Sequence, residues 1–156
     1  MDALRDLCRG LGLRNPRTYI QSGNIVFETT TRGDLAGISG CIEDAVEAAA
    51  GFRPAVISRN AREWREIIAR NPLAGRPGID PAKLAVTFLG RELAPEVRAQ
   101  VLNLNAPPEE LYCLDREVYI YFPNGFSRSR LSMPRVETVL QVPRDRKSTR
   151  LNSSHA

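Results

Sequence analysis

The sequence predicts an α+β fold built from two βαββαβ halves, the first without its opening strand and the second without its closing one. Three observations carry this. Residues 1–58 read as helix, strand, strand, helix, strand, and residues 83–140 read as strand, helix, strand, strand, helix. Between them lies NPLAGRPGIDPA, Asn71–Ala82, whose three prolines and two glycines mark a linker. Each order is one element short of the ferredoxin-like βαββαβ unit, so the halves are expected at residues 1–70, with a trailing helix, and 83–144. The missing strands imply that something precedes Met1 and follows the last helix.

In the first half, Leu4, Leu7, Cys8 and Leu11 recur at helical spacing and Gly12 stops the helix. Arg17–Gln21 and Ile25–Thr29 are rich in β-branched and aromatic residues around Ser22, Gly23 and Asn24, the composition of a hairpin turn. Strand alternation puts Thr18 and Ile20 on one face and Arg17, Tyr19 and Gln21 on the other. From Asp34 to Ala50 the apolar residues Leu35, Ile38, Ile42, Val46 and Ala49 define a helix capped by Asp34, with Gly37 and Gly40 weakening its start. RPAVIS, Arg53–Ser58, reads as a short buried strand. Asn60 and Glu63 then have capping-box spacing ahead of an apolar face of Trp64, Ile67 and Ile68.

In the second half, Lys83–Leu89 reads as a strand. Pro95–Leu104 reads as a helix with proline in its first turn and Val97, Val101 and Leu104 inward. Leu111–Leu114 and Val118–Phe122 form a second hairpin around Asp115, Arg116 and Glu117, and Val136, Val139 and Leu140 mark a last helix. Alternation along this hairpin leaves both sheet faces apolar, which suits a sheet covered on each side.

Composition narrows the chemistry. The chain of 156 residues is 42% apolar and 26% charged, and no apolar run reaches the ~18 residues that suggest a membrane span. Neither a membrane helix nor a signal peptide is expected. Cys8, Cys41 and Cys113 are scattered, so they are expected as reduced, buried small hydrophobes of a cytoplasmic protein rather than a disulfide frame. The segment DRKSTRLNSSH, Asp145–His155, has nothing to bury and resembles the conceptual translation of a sequencing-library adapter. The resemblance implies that residues 145–156 are an assembly artefact. Without them the net charge of +4 falls to +2, with 19 basic against 17 acidic residues, and the single histidine is lost. No imidazole then remains for a general base, a catalytic triad or a zinc site.

The words TYIQSGNIVF, NPL at Asn71–Leu73, KLAVTFL and VYIYFPNGFSRSRL, in this order, resemble the domain-of-unknown-function family 1697, an α+β family of bacterial cytoplasmic proteins. The resemblance spans nearly all of Met1–Pro143. It implies an extra first strand with an Arg-Gly-Ile-Asn-Val-Gly-Gly type turn and a final segment containing Arg-Asn-Trp, neither of which occurs here. It implies no activity, since none is established for the family.

Three groups of residues are candidates for binding. Gln21, Ser22 and Asn24 form one wall of a ligand site beside the expected first strand, against a structural reading in which they bond the local backbone of the turn. Ser127, Arg128, Ser129 and Arg130 precede the last helix, where a phosphate or carboxylate would be favoured; the bland alternative is a solvated basic loop. Tyr119 and Tyr121 share a strand face and match the paired aromatics of an RNA-stacking platform, although Glu117 stands where a basic residue is wanted and packing against the other half accounts for them better. The carboxylates Glu43, Asp44, Glu47, Glu109 and Glu110 read as solvated surface, with no acid/base pair and no metal cluster. The expectation is therefore a non-enzymatic binding or interaction module without metal, cofactor, membrane or DNA. An enzyme or binder for a phosphorylated or carboxylated small molecule is the second reading, and an RNA platform the third.

Overall fold

The computed structural model describes residues 2–19, 23–30 and 34–140. The chain divides into two compact units, residues 1–64 and 65–156. Residues 71–82, with the composition of a linker, thus fall inside the second unit, and there Leu73 is buried against Leu84 and Tyr121.

In the first unit, helix α1 (Asp2–Gly10) leads into the antiparallel hairpin β1 (Arg14–Tyr19) and β2 (Asn24–Glu28). Strand β1 begins earlier than its β-branched run predicts. It does so through a register shift between Arg14 and Arg17, where Asn15 adopts a left-handed φ of 50° that asparagine tolerates. The core gathers Cys8, Leu13 and Ile42, with Ile25 and Phe27 from the inward face of the hairpin. Helix α2 (Leu35–Ala50) is capped as predicted: the Asp34 carboxylate accepts the Gly37 N–H at 2.8 Å. A Cβ at Gly37 would collide with that carboxylate, so the glycine that weakens the helix in sequence is what lets its cap close. At the other end Gly51, with φ 76°, donates to Glu47 O.

Arg53–Ser58 is not a strand. A strand needs a neighbour's open ladder, and this segment finds side chains of α2 instead. The Val56 N–H donates to Glu43 Oε1 at 2.6 Å, Arg53 pairs with Glu43, Asp44 and Glu47, and the Ser39 and Ser58 hydroxyls meet at 2.7 Å. Helix α3 (Ala61–Ala69) opens with a reciprocal capping box: Glu63 N–H donates to Asn60 Oδ1 at 2.8 Å, and Asn60 N–H donates to Glu63 Oε2 at 2.9 Å. Of its three apolar residues only Ile67 is buried; Trp64 and Ile68 stay more than a third exposed.

The second unit holds a three-stranded antiparallel sheet of order β3-β5-β4, from β3 (Leu84–Phe88), β4 (Glu110–Leu114) and β5 (Glu117–Tyr121). The central strand β5 is buried at every position. One face carries Ala85, Val118 and Ile120 against Val101 of α4 (Pro95–Leu102) and Val136 of α5 (Met133–Val139). The other carries Val86 and Tyr119 against Ile67, and Leu84 and Tyr121 against Leu73. A sheet covered on both faces explains why its strands read as continuous apolar runs.

Candidate functional site

The register of β3 against β5 determines which backbone groups of β3 remain outside the sheet. Phe122 N–H donates to Lys83 O, and Leu89 N–H donates to Arg116 O. In an antiparallel ladder hydrogen-bonded pairs alternate, so Lys83, Ala85, Thr87 and Leu89 turn their peptide groups toward β5. Leu84 and Val86 turn theirs the opposite way. Leu84 N–H accordingly finds Pro81 O.

A groove of about 380 Å³ runs along this edge. Three consecutive residues, Ala85, Val86 and Thr87, line it, which identifies the strand's flank rather than one of its faces. The opposite wall comes from Phe122 and the stretch after it, including Phe126, Leu131 and Met133. Glu137 of α5 is the charged residue of the lining, and among the described residues it has no ion-pair partner. The site therefore combines a backbone donor and acceptor, an apolar floor and one carboxylate. None of these groups stood out in the sequence, because they come from segments about forty residues apart and one is backbone.

The loop behind the groove contains Ser127, Arg128, Ser129 and Arg130. Phe126–Arg128 is a single 3-10 turn, Ser129 Oγ accepts the Leu131 N–H at 3.0 Å, and Arg130 N–H donates to Glu109 Oε1 at 3.2 Å. Glu109 is 2% exposed and its Oε2 has no hydrogen-bond partner among the described residues. This overturns its reading as solvated surface: the carboxylate is buried under the loop, where it holds a backbone N–H that an anion would need. Ser127, Arg128 and Arg130 project outward and are exposed.

Tyr119 and Tyr121 do share a strand face, and that face is closed. Tyr119 is 1% exposed and its hydroxyl donates to Ile67 O at 2.7 Å, and Tyr121 packs on Leu73. Neither ring has a free face on which a base could stack. Burial also pushes the Tyr119 hydroxyl up to about 12, so it stays protonated as a donor. Gln21 and Ser22 lie outside the described residues, as do residues 141–156, and Asn24 is a half-buried residue at the start of β2.

Other reactive groups occupy structural positions. Arg76 grips Glu110 through two bonds of 2.8 and 2.7 Å, and Tyr112 donates to the same carboxylate at 2.7 Å. The Arg76 hydrogen bonds, with Tyr112, hold Glu110 below the usual carboxylate range. Burial raises the thiols of Cys8 and Cys113; Cys41, expected to be buried, is exposed. Among the described residues no group of His, Cys, Asp and Glu could hold a metal ion, and no helix is long and apolar enough to cross a membrane.

Comparison with the curated proteins and with the solved structures returns no match. The model of one family, described as protein of unknown function (DUF1697), matches residues 1–119, three quarters of the chain and most of both units. On that match the chain belongs to the DUF1697 family.

Proposed function

We propose that this chain is a non-enzymatic, cytoplasmic binding or interaction module, with the groove beside β3 as its binding site. The observation that supports it is the flank of β3 lining a groove with an apolar floor. Sheet edges of this kind are ordinarily paired or covered, because unpaired peptide groups attract another strand.

The same reading makes the second unit a ferredoxin-like half. Its β3-α4-β4 connection places two strands on either side of β5. Repeating that split crossover from β5 through α5 would place a further strand on the far side of β3, where the groove runs.

The test uses a photo-reactive benzoylphenylalanine at Ser132, which lines the groove and is exposed, with the same residue at exposed Glu96 as reference. In cells of the source organism, position 132 should give a discrete adduct that position 96 does not. Identical patterns at the two positions, or no adduct at 132, would dismiss the groove as a site.

A phosphorylated or carboxylated small molecule is the second reading, favoured by Arg128 and Arg130, exposed cations without an ion-pair partner among the described residues. Calorimetric titration of such metabolites should then respond to Arg128→Ala, and equal heats from both proteins would remove it.

A further inference from the structure

We infer that Asn124 is a modification site, where the side-chain amide is lost without a catalyst to leave aspartate or isoaspartate, at a pace set by opening of the turn that holds it. The inference stands apart from the groove and from any ligand on the neighbouring arginines. Its first support is the dipeptide. Asn124–Gly125 is the one Asn-Gly pair in the chain, and Asn124 is exposed on the turn that leads from β5 to Phe126–Arg128. Gly125 has no side chain to screen its nitrogen from Asn124 Cγ, and its φ of 83° is one that glycine adopts readily.

The chemistry consumes only water. The Gly125 nitrogen gives up its proton and bonds to Asn124 Cγ, the Cγ–Nδ2 bond breaks, and ammonia leaves with that proton, closing a five-membered succinimide. Water then opens one of the two ring C–N bonds. Opening at Cγ leaves aspartate on an unaltered backbone, and opening at the main-chain carbonyl leaves isoaspartate. Nothing is oxidised or reduced.

The second support is the turn itself. Gly125 N–H donates to Phe122 O at 2.9 Å, Phe122 N–H donates to Lys83 O at 2.9 Å, and Lys83 Nζ donates to Pro123 O at 2.9 Å. Phe122 is 2% exposed and its ring centroid lies 4.6 Å from that of Phe126. The attacking nitrogen is thus committed to a turn anchored on both sides, and the succinimide closes when that turn opens locally. The fold slows a reaction that the sequence invites. The product also alters the loop: Pro123–Arg130 carries two arginines and no acid, a charge of +2 that one new carboxylate lowers to +1. Isoaspartate further inserts a methylene into a turn whose hydrogen bond spans only Phe122 to Gly125.

The experiment is peptide mass mapping of the full chain aged in mildly alkaline buffer, native and in denaturant, with chromatographic separation of aspartate from isoaspartate. Both products are expected at position 124 in denaturant, and their formation should be about tenfold or more slower in the native chain. Lys83→Met keeps the aliphatic stem, removes the bond to Pro123 O, and should raise the native rate toward the denatured one. Should Lys83→Met fail to fold, the comparison of native with denatured chain decides alone. An Asn124 that survives intact in denaturant overturns the site. Equal rates in native and denatured chains, or a folded Lys83→Met protein that reacts no faster than the unaltered one, overturns the control by the turn.

Discussion

The two sheets of this molecule handle alternation in opposite ways. In the β1–β2 hairpin, Ile25 and Phe27 face the core while Tyr19 and Val26 point outward, at 55% and 58% exposure. In the three-stranded sheet both faces are covered, and β5 is buried from Glu117 to Tyr121. Strand character alone therefore does not assign a side chain's energetic weight. The same residue types dominate stability in one sheet and contribute little in the other, and only the cover on the second face distinguishes them.

Tyr119 gives the largest contrast. Its side chain is buried in one cluster with Ile67 and Val86, and its hydroxyl donates to Ile67 O. Tyr119→Ala should cost about 3–5 kcal/mol in denaturant unfolding, and Tyr119→Phe about 1 kcal/mol, the net value of one buried hydrogen bond. A Tyr119→Ala penalty no larger than that of an exposed hairpin residue would abolish the contrast and reopen the ring as a stacking surface.

Next in size is a contrast within β3 itself. Ladder parity directs the Thr87 N–H at β5 and the Val86 N–H at the groove. Thr87→Pro should therefore destabilise by about 1–3 kcal/mol more than Val86→Pro, because it orphans a buried acceptor on β5. Thermal and denaturant midpoints of the two variants measure this directly. Equal losses would show that the parity, and with it the direction of the Val86 N–H, is misassigned.

How much of this was legible in the sequence differs by kind of information. Helix starts were legible because a cap is local: Asp34 with Gly37, and Asn60 with Glu63, are settled within three residues. The hairpins were legible from turn composition and period. Arg53–Ser58 was misread because an apolar β-branched run shows only that burial is favourable, and here Glu43 and Ser39 of α2 took the place of a ladder. Tyr119 and Tyr121 were correctly placed on one face, but no local pattern reveals what lies across from it. Glu109 looked like its neighbour Glu110, and the loop that buries it arrives some twenty residues later. The groove was invisible for the same reason.

A smaller effect separates pH sensitivity from packing. Glu110 is held below the usual carboxylate range by Arg76 and then by Tyr112, so its contribution is complete above the unfolded value of about 4.3 and is lost as pH falls through the lower folded value. With Arg76 partly exposed the whole contribution should stay under about 1 kcal/mol. Glu110→Gln should flatten the stability profile below pH ~4.3, by about that amount. An unchanged acid limb would assign the acid sensitivity to other carboxylates.

The smallest expected effect is the most informative about the hairpin. Val26→Thr keeps a β-branched side chain, preserves the pairing of Val26 with Arg17, and exchanges a methyl for a hydroxyl on a face that is more than half exposed. If water is what that face meets, the stability change should stay within about 0.5 kcal/mol, as for other surface positions. A loss of about 1 kcal/mol or more, the size expected of a buried packing change, would mean that Tyr19 and Val26 are covered in solution and that the hairpin, like the larger sheet, is packed on both sides.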